Sequence, residues 1–127
     1  MLAKALQSAA LATQPLYVED VFSTYLYTGN GLTQTITNGI DLAGKGGLVW
    51  IKSRSAATNH FLFDTARGTT DEINSNTTDA EASLANSLTA FNADGFSISS
   101  ATGIGVNAAT YASWTFRKAP KFFDVVT

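Results

Sequence analysis

Few residues in this chain have the chemistry to act on a substrate, and His60 is its only histidine. It stands before Asp64 and after Ser53 and Ser55, which together are the residue types of a hydrolytic triad. On a strand, however, positions 60 and 64 share a face about 13 Å apart, beyond direct hydrogen bonding. No G-x-S-x-G elbow presents either serine. A glycosidase needs two carboxylates about 5–10 Å apart. Glu72 and Glu81 lie in a polar stretch with no aromatic platform close in sequence. The absence of cysteine removes thiolate nucleophiles, disulfides and thiolate zinc sites. The expectation is therefore a protein that is not an enzyme and carries no cofactor.

Other polar groups read as turn chemistry. Asn92, Asp94 and Gly95, or the pair Asp71 and Glu72, offer oxygens of the kind Ca²⁺ takes, but no spacing matches a calcium loop. Asn76-Thr77-Thr78 fits the glycosylation pattern, as a chain rich in Asn and Thr does by chance. Gly29-x-Gly31 and Gly44-x-Gly46-Gly47 resemble fragments of phosphate loops, yet neither precedes a helical pattern that would hold an anion. Aromatic side chains remain as binding candidates. Trp50 and Trp114 sit amid alternating apolar residues and are expected in the core. Tyr25, Tyr27 and Tyr111 fall on the opposite, more polar faces of their strands, which makes them the candidates for contact with a ligand or a neighbouring subunit.

The elements that must position these residues are strands. The chain has 127 residues, enough for one domain with one core. Charged residues are 14% of it and the net charge is −2, so it lacks the basic field that nucleic-acid binding requires. No apolar run approaches the ~18 residues of a membrane-spanning helix, and membrane insertion is not expected. Solubility has to come from hydroxyls and amides, since Ala, Thr, Ser and Gly number 19, 17, 11 and 10.

Alternation and β-rich composition mark strands at Val21 to Thr28, Thr33 to Thr37, His60 to Asp64, Leu88 to Phe91, Phe96 to Ser99 and Tyr111 to Phe116, and Leu48 to Ser53, apolar on both faces at first, reads as a strand inside the sandwich. Turn signals separate them, notably Asn38-Gly39 and Asn92-Ala93-Asp94-Gly95. Asp71 to Asn86 reads as a long loop or weak strands, and Lys121 to Thr127 as the beginning of one more strand. Ending on such a strand suggests that the chain is the start of a longer one. The pattern predicts an all-β protein, an antiparallel β-sandwich over residues 17–127. Phe22, Leu26, Trp50, Phe61 or Leu62, Phe91, Phe96, Trp114 and Phe116 are expected to fill its core.

Met1 to Thr13 differs, with good helix formers and Leu2, Leu6 and Leu11 on an otherwise small-residue segment. A short secretory signal is one reading, but Gln7 and Ser8 interrupt its apolar stretch. The favoured reading is a short helix or arm over residues 1–16 that anchors the chain through Leu2, Leu6 and Leu11 to a partner, because about three turns of helix are marginal alone.

Four stretches carry a resemblance. VFSTYLYTGNGLTQTITNGIDL, GGLVWIKSRSAATNHFLFDTARG, LTAFNADGF and YASWTFRKAPKFFDVVT together resemble a domain of bacteriophage tail-fibre and related virion structural proteins. VWIKSR, DTARG, NADGF and W-x-FRKAPKFFD occur in the expected order over Tyr17 to Thr127. The resemblance implies a concanavalin-like (laminin-G-like) jelly roll in the phage particle, the virion-proximal module of a tail fibre. Its partners would be other virion proteins of the tail or neck, in a homo-oligomer of which a trimer is the usual fibre state. A carbohydrate-binding module for a host-surface glycan and a capsid decoration protein are the alternatives. The resemblance brings no catalytic motif.

Overall fold

The computed structural model describes residues 15–127. The arm expected over residues 1–16, with Leu2, Leu6 and Leu11, lies almost wholly outside the described residues. A single helical turn, α1 (Val18–Val21), opens the fold, with the Asp20 carboxylate accepting the Tyr17 N–H at 3.2 Å. Nine strands follow: β1 (Phe22–Thr28), β2 (Gln34–Thr37), β3 (Gly47–Ser53), β4 (Phe61–Asp64), β5 (Asp71–Asn74), β6 (Ala82–Ser83), β7 (Leu88–Asn92), β8 (Gly95–Ile98) and β9 (Thr110–Arg117). A second helical turn, α2 (Leu42–Lys45), precedes β3 and is capped by the Asp41 carboxylate on Gly44 N–H at 2.7 Å. The sequence predicts a plain turn here, since Gly44, Gly46 and Gly47 give little helical propensity, and the Asp41 cap is what holds the helical turn.

All ladders are antiparallel and form two sheets, one ordered β1-β9-β3-β4-β5-β6 and the other β2-β8-β7. The protein is thus an antiparallel β-sandwich. Between the sheets lie Tyr27, Val49, Ile51, Phe61, Phe63 and Tyr111 from the larger and Ile36, Leu88, Phe96 and Ile98 from the smaller. Ile40 and Ile104 from loops and Leu42 from α2 complete this core. The β7–β8 hairpin turns at Ala93-Asp94, and Asn38 and Gly39 donate to the Asp94 carbonyl at 2.9 and 3.0 Å. Gly95 must be glycine, because its φ is +154° and a Cβ there would collide with the Ile36 carbonyl of β2.

Alternation placed the strands correctly but named the wrong face inward on β1, β3 and β9. Leu26 is 57% exposed, and Phe22, Trp50, Trp114 and Phe116 lie partly exposed on the outer face of the larger sheet. Phe61 and Phe96 are buried as expected, whereas Leu62 and Phe91 are only partly so. A period of two defines two faces without saying which is inside, and both faces of these strands carry large apolar groups. The polar stretch from Asp71 holds the short strands β5 and β6. At the other end, Lys121 to Thr127 forms no strand; an isolated bridge joins Ala119 to Phe123. Among the described residues no helix is long and apolar enough to cross a membrane.

Candidate functional site

The four residues that could have made a hydrolytic site, Ser53, Ser55, His60 and Asp64, each hold a structural hydrogen bond. Asp64 is 1% exposed, and its carboxylate accepts the Ala66 and Arg67 N–H groups at 2.9 and 2.8 Å as well as the Arg67 guanidinium. The guanidinium also meets Glu81 at 2.7 Å. The β3–β4 pairing puts Asp64 opposite Leu48. His60, the residue before β4, accepts the Trp50 indole N–H on Nδ1 at 3.0 Å. The bond and the edge-to-face contact hold the imidazole against Trp50. Ser53 accepts the Ala56 N–H at 3.1 Å and Ser55 the Thr110 N–H at 3.0 Å. His60, Asp64 and these serines therefore form no relay.

Glu72 points toward the inner side of β5 and is paired with Phe63. Burial, the larger cause, and the negative Asp79 push its pKa up, against a 2.8 Å hydrogen bond from the Asn74 amide. Asn74 also donates to the His60 carbonyl, and Asn76 accepts the His60 N–H at 2.9 Å while donating to Asn59 at 3.0 Å. Asn76 is thus a strut between loops. With its folded pKa raised, Glu72 contributes stability that is full below about pH 4.3, the unfolded glutamate value. That contribution is lost as the pH rises through the higher folded value. Glu72→Gln keeps an acceptor for Asn74 and has no charge to bury. Urea unfolding at several pH values should find the variant gaining on the wild type as the pH rises from 4 to 7; a constant difference would contradict this.

The remaining polar candidates lie in the β7–β8 hairpin, on β5 and in glycine-containing loops. Asn92 donates to Ser97 at 3.0 Å across the β7–β8 hairpin. Among the described residues no three His, Asp or Glu side chains cluster to hold a metal. Gly29 and Gly31 bond to Ala109 and Gly105, and a Cβ on Gly29 would collide with the Val106 carbonyl. These glycines let two loops touch.

Tyr27 and Tyr111, expected on an outward face, are in the core at 7% and 1% exposure. Their rings stack at 5.0 Å and 19°. The Tyr27 hydroxyl donates to the Ile104 carbonyl at 2.8 Å, and the Tyr111 hydroxyl accepts the Val106 N–H at 3.0 Å. Burial pushes both phenol pKa values up, so both stay protonated at neutral pH. A tyrosine is buried at little cost once its hydroxyl has a partner, and the loop between β8 and β9 supplies one to each. Of the three candidate tyrosines only Tyr25, 38% exposed on β1, is available for contact.

The surface that is available is the outer face of the larger sheet. The ladders align Phe22, Phe116 and Leu48 in one row and Thr24, Trp114, Trp50, Leu62 and Ile73 in the next. Phe22 lies 5.0 Å from Phe116, which lies 5.3 Å from Phe123. Trp50 meets Trp114 edge to face at 5.6 Å and His60 at 5.7 Å. Beyond Phe22, the apolar side chains of Leu16, Tyr17 and Val18 line an open groove with Pro120 and Phe122. Sequence reasoning missed this face, although the apolar run at both parities of Leu48 to Ile51 was its signal.

The fold and this face define a two-sheet antiparallel sandwich with an aromatic outer surface. Residues 18–121 match the model of a domain family of unknown function (DUF7483), and the chain belongs to that family. No curated protein and no solved structure gives a significant match.

Proposed function

We propose that the chain is a non-enzymatic structural module of a phage particle. It is the virion-proximal part of a tail fibre, in a concanavalin-like jelly roll, and residues 1–16 attach it to another virion protein. The observation that carries the reading is the partly exposed aromatic face: Phe22, Trp50, Trp114 and Phe116 form a contact surface, while His60 is engaged by Trp50 and Asp64 by the turn after β4. An apolar face of this kind gains stability when covered, at about 25 cal/mol per Å² removed from water.

Deleting residues 1–16 leaves the strand pattern untouched, so the sandwich should fold while the truncated protein fails to enter particles. Normal incorporation would overturn the attachment role. A second reading, recognition of a host-surface glycan, draws on the paired indoles beside His60, since aromatic faces stack on sugar rings. A glycan array on the purified protein separates the two: glycan binding lost in Trp50→Ala would favour the second.

A further inference from the structure

We infer that β1 is a self-pairing edge, through which two copies of this chain join their larger sheets antiparallel about a two-fold axis. The sandwich has four sheet edges, and three are blunted in recognised ways. β6 has two residues, β2 has four, and β7 carries a register shift between Leu88 and Ala90. β1 is different. Its seven residues, Phe-Ser-Thr-Tyr-Leu-Tyr-Thr, contain no charge and no proline, and it pairs with β9 through its whole length without a shift. Among the described residues no strand pairs with its other side.

The register shows which groups that edge presents. The 2.9 Å bond from Gly29 N–H to the Ala109 carbonyl extends the β1–β9 ladder, so the odd-numbered residues of β1 exchange bonds with β9. Bonds from Arg54 to Thr110 and from Lys118 to Gly46 extend the β3–β9 ladder through the even residues of β9, which agrees. The even residues of β1 therefore aim their N–H and C=O groups at the free edge. The Phe22 N–H is taken by the Val18 carbonyl, and the Thr28 carbonyl by the Gln34 amide at 3.1 Å. Thr24 and Leu26, both exposed at the centre of the strand, keep both of their groups free, and the Phe22 carbonyl and the Thr28 N–H flank them.

A two-fold axis at Tyr25 satisfies both at once. Thr24 then exchanges its bonds with Leu26 of the partner subunit, and Tyr25 stands opposite Tyr25 of the partner subunit as a non-hydrogen-bonded pair. Leu26, 57% exposed on the outer face, packs beside Thr24 of the partner subunit, so the row Thr24-Trp114-Trp50 runs on across the axis. No like charges meet, because β1 has none. This inference stands on the edge alone and holds whether or not the chain belongs to a phage.

Sedimentation of the full chain should give a dimer. Leu26→Pro removes a donor aimed at the free edge and none that β9 uses, so it should give a monomer with an unchanged circular-dichroism spectrum. Leu26→Lys should do the same by placing a charge on the edge. In this cysteine-free chain, Tyr25→Cys should form a disulfide-linked dimer under mild oxidation, since Cα atoms of such a pair lie about 4.5 Å apart. Ser23→Cys should not. A monomeric or trimeric wild type, a dimer that survives Leu26→Lys, or a Tyr25→Cys chain that fails to cross-link would each overturn the inference. So would a wild-type monomer that dimerises only after residues 1–14 are removed.

Discussion

Tyr111→Ala is expected to cost about 3–5 kcal/mol of stability, the range for an aromatic truncated in a packed core. Tyr111 is 1% exposed, stacks on Tyr27, and its hydroxyl accepts the Val106 N–H, so truncation opens a cavity and orphans a backbone donor. Trp114→Ala should cost less, about 1–2 kcal/mol, although it removes the larger side chain. Its indole is already partly in water, leaving part of the area term and an edge-to-face contact worth about 0.5–1.5 kcal/mol. Urea unfolding of the two variants checks the order. A Trp114→Ala loss as large as that of Tyr111→Ala would mean that the faces of β9 are reversed.

The second large effect belongs to Asp64. Asp64→Ala strips partners from two backbone N–H groups and from the Arg67 guanidinium, all beside a carboxylate that is almost fully buried. Breaking a buried ion pair costs about 3–5 kcal/mol, and the figure here should fall near the lower end, because Arg67 reaches water and keeps Glu81. Glu81→Ala removes only the outer, exposed half of the same network and should change stability by less than about 1 kcal/mol. Equal losses in the two variants would contradict the structural role assigned to Asp64.

The strands were legible because alternation and turn chemistry agree along most of the chain. Ala93-Asp94 between Phe91 and Phe96 gave the hairpin directly, since the turn and the pairing are local. The pairing of β1 with β9 was not legible, because a contact between residues as distant as Phe22 and Phe116 leaves no local trace. The inward face failed for a physical reason too. Tyr27 and Tyr111 look amphipathic in sequence, and only the loop holding Ile104 and Val106 makes their burial favourable. The role of His60 was equally hidden, since its partner Trp50 comes from the neighbouring strand. Asp64 offers a carboxylate that sequence alone allows to be catalytic, and only the structure shows its i+2 and i+3 backbone donors closing a turn.

The central claim is that the aromatic outer face of the larger sheet, not the tyrosine pair, is the contact surface. Both tryptophans of the chain, Trp50 and Trp114, lie on that face, so the intrinsic indole emission reports on it alone. Acrylamide quenching of the purified protein is the most direct measurement. The account predicts quenching well above that of a core indole; quenching as weak as in a closed core would contradict it.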